Sequence, residues 1–446
     1  MPAAAGRGES RQGEALSEAP SDEPNVPRSE AKGAGSALLR GMLTKENMQR
    51  AWKRVKANKG AAGVDGLDID RTAEQLKQAW PGIRERVLNG TYRPSPVRRV
   101  GIPKSDGSER ELGIPTVTDR LIQQALLQVL QPLLDPTFSE HSHGFRPGRR
   151  AHDAVLEAQR YVQAGYRVVV DVDLAKFFDR VNHDILIDRL RKRIADAGVI
   201  RLVRAYLNSG IMAGGVVQER YQGTPQGGPL SPLLANVLLD EVDRELERRG
   251  HHFVRYADDC NVYVRSRRAG ERVMEFLRCL YGTLRLQINE SKSAVANAFG
   301  RKFLGYSLWV APGDVVKRAA SRKALATFRQ NVRWRTRRCG GCSMAQVIER
   351  LRPYVLGWKA YFGLAQTPRI WRELDEWMRR RMRAIQLKQW RRGRTIYREL
   401  RALGAAAAVA HRVAANSRRW WRNSALALNR VLTVAYFERL GMPRLT

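Results

Sequence analysis

The sequence predicts an α+β fold, and three observations carry that prediction. Two runs of β-formers, 168–174 and 253–264, alternate with amphipathic helical stretches. The stretch from Asp119 is the clearest of these, with Leu121, Ile122, Ala125, Leu126, Val129 and Leu130 at helical spacing. Beyond residue 315 the pattern reads as mostly helical and basic. A chain of 446 residues with 43% hydrophobic composition has room for about two to four domains around a well-buried core.

The formal charge of +35 points to a polyanionic partner. From Ala311 to Thr446 there are 31 Lys and Arg against seven Asp and Glu, so about two-thirds of the excess lies in the last third. Seven of the ten Trp lie there as well: Trp334, Trp358, Trp371, Trp377, Trp390, Trp420 and Trp421. Basic and aromatic side chains together suit phosphate contact and base stacking, with the Arg of 379–394 as the expected surface. Trp on a helix core with Arg on the wet face gives the same pattern, and for most of these Trp it is the reading adopted here. Four cysteines in so long a chain argue against a disulfide framework and fit a reducing compartment. Cys339-Gly340-Gly341-Cys342 is only half a zinc site. No run is long enough to cross a membrane, and the first residues lack an apolar signal core. Glu9, Glu14, Glu18, Asp22 and Glu23 argue against an organelle transit peptide, so a soluble cytoplasmic protein is expected.

Taken in order, residues 1–36 are rich in Ala, Gly, Ser, Pro and Glu and read as a disordered tail. One helical pattern spans Ser36 to Lys59, and Gly63-Val64-Asp65-Gly66 follows as a turn-rich loop. An extended segment from Tyr92 to Ile102, interrupted by Pro94 and Pro96, leads through 103–110 to Leu112-Gly113-Ile114-Pro115. That is a hairpin whose tip carries Lys104 and Arg110, cations that can close on a triphosphate or stay solvated. In 141–150, His141 and His143 have Ser, Gly, Arg and Pro around them rather than acids or thiols, so a rigid basic loop is expected rather than a metal site.

Val168-Val169-Val170-Asp171-Val172-Asp173-Leu174 is a β-branched run, as in a strand buried on both faces. Asp171 and Asp173 fall on one side of it. Buried acids are costly unless a metal or hydrogen bonds satisfy them. The loop 223–230 offers backbone N–H groups and the Gln226 amide, then opens a helix with Ser231 as N-cap and Pro232 as first residue, running to Gly250. Next, Phe253 to Val264 reads as a hairpin with Asp258 and Asp259 at its turn. Adjacent acids repel, and a divalent cation is the natural counterweight. Taken alone, an Asp-Asp pair is better explained as a solvated turn, and it is the rest of the chain that reverses the balance. The second carboxylate source at 171–173 is what a two-metal phosphoryl-transfer site requires. A helix at 273–284 and a short strand or turn at Phe303-Leu304-Gly305-Tyr306 complete the ordered motifs.

In this order the motifs resemble the bacterial group II intron-encoded reverse transcriptase/maturases over roughly residues 40–440. Asn58 to Gly66 resembles the family's N-terminal extension, and Gly144-Phe145-Arg146-Pro147-Gly148 its second motif. Asp173 to Asp179 resembles the palm motif, Pro225-Gln226-Gly227-Gly228 the nucleotide-pocket motif, and Tyr256-Ala257-Asp258-Asp259 the catalytic box. Tyr354 to Trp358 with Tyr361-Phe362 resembles the thumb, or maturase domain X.

The resemblance implies a right-hand polymerase with fingers and palm on an antiparallel sheet, a helical thumb and a small basic helical C-terminal region. The implied division is a tail at 1–36, an N-terminal extension at 37–90, fingers and palm at 91–308, thumb at 309–400 and a DNA-binding region at 401–446. It implies Asp173, Asp258 and Asp259 as ligands of two Mg²⁺ ions, with Asp171 ambiguous beside them. Phe178 becomes a steric gate against ribose, and Gln226 lines the deoxynucleotide pocket. Lys104 and Arg110 contact the phosphates, Lys292 is a candidate proton donor to pyrophosphate, and Phe303 to Tyr306 grip the primer.

The implied partners are group II intron RNA, a DNA target and primer, and deoxynucleoside triphosphates, in a cytoplasmic ribonucleoprotein. With no H-N-H segment after Ala435-Tyr436-Phe437, the sequence resembles the endonuclease-lacking branch, which needs a primer made elsewhere. Two other readings use the same residues: a splicing factor whose polymerase is idle, and a domesticated enzyme without an intron.

Overall fold

The structure is a computed structural model that describes residues 37–103, 109–213, 216–218, 221–224, 227–337 and 341–446. The expected tail at 1–36, Lys104, Gln226 and Cys339 lie outside the described residues, as does the side chain of Arg110.

The helix expected over 36–59 is two helices, α1 (Ala37–Met42) and α2 (Lys45–Ala57). The break falls at Thr44, whose side chain accepts a hydrogen bond from the Asn47 N–H at 3.4 Å and so starts a new helix. Helix α3 (Ile69–Asn89) was not foreseen. Asp68 caps it at the Arg71 N–H (2.8 Å), and Gly90 closes it at φ +76°. The finger hairpin joins β1 (Val97–Pro103) to antiparallel β2 (Glu109–Ile114), with Arg98 opposite Ile114. The strand begins at Val97 rather than Tyr92, because Pro94 and Pro96 have no N–H to give a ladder. Helix α4 (Val117–Leu134) starts two residues before Asp119, capped by Thr116. The buried Asp119 carboxylate accepts from Tyr92 Oη at 2.7 Å and the Ser95 N–H at 3.1 Å, tying the extended 92–96 segment to this helix.

Helix α5 (Ala151–Gln163) leads into β3 (Val168–Val172), followed by α6 (Phe177–Arg180), α7 (His183–Arg191) and α8 (Ala197–Leu207). Strands β4 (Ile211–Ala213) and β5 (Val216–Gln218) extend the finger sheet, in the order β2-β1-β4-β5. Helix α9 (Ser231–Arg248) has Leu230 as its N-cap, so Ser231 lies one position inside the expected cap, and the helix stops before Gly250. Strands β6 (His252–Tyr256) and β7 (Asp259–Val264) are the expected hairpin, and α10 (Arg267–Thr283) leads to β8 (Ala294–Asn297). The palm sheet is antiparallel in the order β6-β7-β3-β8. Alternation puts Val170, Val172, Val262 and Val264 into the main core with Leu277 of α10, and Val169, Val254 and Tyr263 into a second core with Ala154 and Ala158 of α5. Both faces of β3 are therefore covered, as its β-branched run predicts.

A three-stranded sheet follows: β9 (Lys302–Phe303), β10 (Tyr306–Ala311) and β11 (Val315–Ala320). Its third strand occupies residues expected to be helical. Val316 and Ala320 of β11 are buried on one face, and the half-exposed Arg318 between them on that face hides the strand alternation in the sequence. This sheet also crosses the division expected at 308/309. Helices α11 (Arg322–Arg335), α12 (Met344–Phe362) and α13 (Pro368–Trp390) enclose a third core that includes Phe328, Leu351, Val355, Leu374 and Met378. Helices α14 (Gly393–Ala402), α15 (Ala407–Ala415), α16 (Trp420–Asn423) and α17 (Val434–Arg439) end the chain. A fourth core joins Leu387 of α13 to Ile396, Leu400, Val413 and Leu428, so packing is continuous across the division expected at 400/401. Among the described residues, no helix is long and apolar enough to cross a membrane.

Candidate active site

The palm register brings the acids together. Strand β3 pairs with β7 so that Asp171 faces Asn261 and Val172 faces Cys260; one step further, Asp173 lies across from Asp259. Asp171, Asp173, Asp259 and Asn261 share one face of the sheet, and Asp258 sits in the turn between β6 and β7. The Asp259 side chain still reaches solvent at the mouth of this face, while its carboxyl loses hydration against the sheet. That loss, followed by repulsion from Asp258, Asp173 and Asp171, pushes its pKa up to about 6. Among the described residues, no three His, Cys, Asp or Glu side chains converge tightly enough to enclose a metal by themselves. Mg²⁺ at phosphoryl-transfer sites is commonly bound by one or two carboxylates plus substrate phosphates, and this open set of oxygens in mutual repulsion fits that chemistry.

Behind the acids lies a charged cluster that the sequence reading missed. Arg255 is fully buried, and its guanidinium pairs with Asp243 of α9, also fully buried, at 2.6 Å. The same guanidinium donates to Asn236 Oδ1 at 2.9 Å, to Ser142 Oγ at 2.7 Å and to the Ala257 carbonyl at 2.9 Å. Ala257 has φ +58°, a left-handed conformation that a residue with a Cβ rarely adopts, and Arg255 fixes its carbonyl. The 141–144 loop is laced to the strand from the other side, with the His143 N–H donating to the Arg255 carbonyl and the Arg255 N–H to the His141 carbonyl, each at 2.9 Å. Asn236 Nδ2 donates to the Gly144 carbonyl at 2.9 Å. A Cβ on Gly144 would lie 2.1 Å from the Ala257 nitrogen, so only glycine allows the loop to back onto the turn that carries Asp258. The one signal in the sequence was a cation inside a β-former run.

The basic loop at 141–150 turns inward. His141 Nδ1 and His143 Nε2 lie 2.5 Å and 2.6 Å from the two oxygens of Glu157, and Arg146 is buried against Asp135 at 3.0 Å. Phe178 is 8% exposed, and its carbonyl accepts the Thr224 N–H at 2.7 Å, which brings the 223–230 loop beside α6. Gly227 backs onto the Gly113 carbonyl of β2 and Gly228 onto Gln123 of α4. Lys292 Nζ lies 3.9 Å from Asp173 Oδ2. Phe303 ends β9, Leu304 and Gly305 turn at φ +49° and +81°, and Tyr306 opens β10. The thumb closes on this turn: Tyr361 Oη donates to the Leu304 carbonyl at 2.8 Å, and Tyr306 Oη donates to the Tyr361 carbonyl, which His152 Nε2 also contacts at 2.6 Å. Arg379 and Arg383 are buried, so the basic surface expected over 379–394 narrows to Arg391, Arg392 and Arg394 with the half-exposed Arg380 and Arg381. A cleft of about 1230 Å³ opens there, lined by Trp334, Arg337, Arg350, Lys388, Arg391 and Trp420.

The antiparallel palm sheet with acids gathered on one face belongs to a reverse transcriptase, since residues 102–308 match the family described as reverse transcriptase (RNA-dependent DNA polymerase). Residues 325–404 match the group II intron, maturase-specific domain. The chain is 33% identical over 313 residues to the protein YkfC of Escherichia coli strain K12, spanning 61% of this chain and 82% of that one. It is 29% identical over 354 residues to the group II intron-encoded protein LtrA of Lactococcus lactis, spanning 64% of this chain and 59% of that protein's length. The chain belongs to the group II intron reverse transcriptase/maturase family.

Proposed function

We propose that the chain copies RNA into DNA at the Asp173, Asp258 and Asp259 face and works as a ribonucleoprotein with a group II intron RNA. The observation that carries the reading is the meeting of these three acids, with Asp259 raised to about 6 by lost hydration and by its neighbours. Two Mg²⁺ ions bound there would activate the primer 3′-hydroxyl and neutralise the triphosphate and leaving pyrophosphate. Asp173, Asp258 and Asp259 are the ligands in this reading. The chain's other groups would orient the reactants: Lys104 and Arg110 would engage the phosphates, Gln226 would line the deoxynucleotide pocket, and Phe178 would act as the gate against ribose. Lys292 stands ready to protonate pyrophosphate, and Phe303, Leu304, Gly305 and Tyr306 hold the primer end.

The N-terminal extension at 37–90 and the basic thumb would bind the intron and assist splicing, and residues 401–446 would contact target DNA. Reverse transcription after reverse splicing into DNA would then support intron mobility in the cytoplasm. Support for the RNA partner comes from the maturase-specific match and from the cation-lined cleft beside α13. Primer extension on an RNA template with Mg²⁺ and deoxynucleotides tests the reading. Wild type should make cDNA and Asp258→Ala none, with RNA binding spared in both. Synthesis preserved in the variant would move the site elsewhere, and tight RNA binding without synthesis in either protein would favour a splicing factor.

A further inference from the structure

Asp171 is the acid left ambiguous by its position, two residues before Asp173 on the same face. Both of its oxygens are engaged by protein. Arg301 lies 2.6 Å from Oδ2 through Nη2, and its Nε donates to the same oxygen at 2.8 Å. Asn261, directly across the ladder, donates to Oδ1 at 3.0 Å when its amide is turned to satisfy both neighbours, the other being the Cys260 carbonyl at 3.2 Å. Arg301 reaches further: its Nη2 donates to the Lys292 carbonyl at 2.7 Å. Arg301 also stands immediately before Lys302–Phe303, the strand that leads into the 303–306 turn.

We propose that Asp171 is a positioning residue and not a metal ligand: with Arg301 it forms a strut that sets both the Lys292 turn and the 303–306 segment in register on the catalytic strand. A cation on this carboxylate would sit beside the Arg301 guanidinium, which already supplies the positive charge on Oδ2, and would have to compete with it. What it gains is geometry. One guanidinium bridges residues 171, 292 and 301, so the candidate proton donor and the start of the primer grip are referenced to the strand that carries Asp173. Two further anchors of the 289–293 turn end on the Asp173 backbone: the Asn289 N–H donates to its carbonyl at 2.8 Å, and Ser293 Oγ accepts from its N–H at 3.0 Å. Asp171 and Arg301 therefore complete a turn whose other end is already fixed.

The catalytic part of this inference rests on the polymerase reading, so the test has two arms. In primer extension, Asp171→Asn and Arg301→Ala should each lower kcat about tenfold with KM for deoxynucleotide nearly unchanged, and the double variant should lose no more than either single, because one strut is cut once. Asp173→Asn should abolish synthesis. If Asp171→Asn falls as completely as Asp173→Asn, the strut is overturned in favour of metal ligation. The second arm is amide hydrogen exchange over residues 290–304 on the full chain. Exchange there should quicken in Asp171→Asn and Arg301→Ala alike and not in Asp173→Asn. Unchanged exchange overturns the strut even if the wild-type chain makes no cDNA, which would be a failure of the polymerase reading alone.

Discussion

Gly144→Ala puts a methyl group into the back of the catalytic turn. The added Cβ would lie 2.1 Å from the Ala257 nitrogen and 2.9 Å from both Ala257 Cα and the Tyr256 carbonyl carbon, all backbone atoms that no rotamer change can move. Ordinary contact begins near 3.4 Å, so loop and turn must separate by roughly 1.3 Å. Neither side yields easily. The loop is tied by the Asn236 bond to the Gly144 carbonyl, and the turn by the Arg255 bond to the Ala257 carbonyl, each 2.9 Å. Overpacking of this kind costs about 1–3 kcal/mol of stability. The larger effect falls on chemistry, since a displacement of about 1 Å at reacting groups is worth about a hundredfold in rate. Single-nucleotide extension should therefore show kcat down by about two orders of magnitude, alongside a urea midpoint lowered by the smaller stability loss. If RNA binds the distant basic surfaces proposed above, its affinity should be unaltered. An alanine variant with wild-type kcat and an unmoved midpoint would refute the claim that the loop sets the turn.

Other perturbations act further from the acids. Arg255→Met leaves the buried Asp243 carboxylate without its partner, which should cost about 3–5 kcal/mol in urea unfolding; an unmoved midpoint would show that the pair is not worth its burial. The Glu157 cluster predicts a pH dependence. Burial opposes the Glu157 charge, but hydrogen bonds with His141, His143 and Tyr161 prevail and hold its pKa down to about 2, while the hydrogen bond to Glu157 raises His141 above its ordinary value. The Glu157 contribution is complete above its unfolded pKa near ~4.3 and fades as pH falls toward 2; that of His141 is complete below ~6.5 and fades as pH rises through its raised value. Wild type should thus lose stability above about pH 6.5, and Glu157→Gln should lower the plateau and flatten that limb; equal slopes in the two proteins would remove His141 from the account. Neutralising Arg391, Arg392 and Arg394 should weaken RNA binding and reduce its log-log salt slope by up to about two units, at about 0.7 per contact, whereas an unchanged slope would put the RNA surface elsewhere.

The acids were legible in the sequence because their chemistry forces a pattern. Two carboxylates in a turn between β-formers, and two more at period two in a valine run, have few inexpensive arrangements, and the ladder opposite Asp173 follows from them. What supports the acids was not legible. Arg255 finds Asp243 twelve residues away, but Ser142 is 113 residues distant, and Asp171 meets Arg301 across 130. Such partners are set by tertiary register, and nothing local marks them. The thumb misled for another reason. Arg379 and Arg383 look like a solvated charge run, yet they fall on the buried face of α13 with Met378 and Met382, so only the helix phase reveals which cations reach water. Strand β11 was hidden in the same way, its alternation obscured by Arg318.

Helix α13 has 23 residues and so runs about 34 Å. Its Leu374, Met378, Met382 and Ile385 belong to the thumb core, and Leu387 to the small core built by α14 and α15. A single rod thus serves as spine to two packed units with no hinge between them. Whatever rotates the thumb must swing the C-terminal unit through the same angle, so that its displacement grows with distance along the rod. A nucleic acid seated on that unit would be carried along with the thumb rather than independently of it.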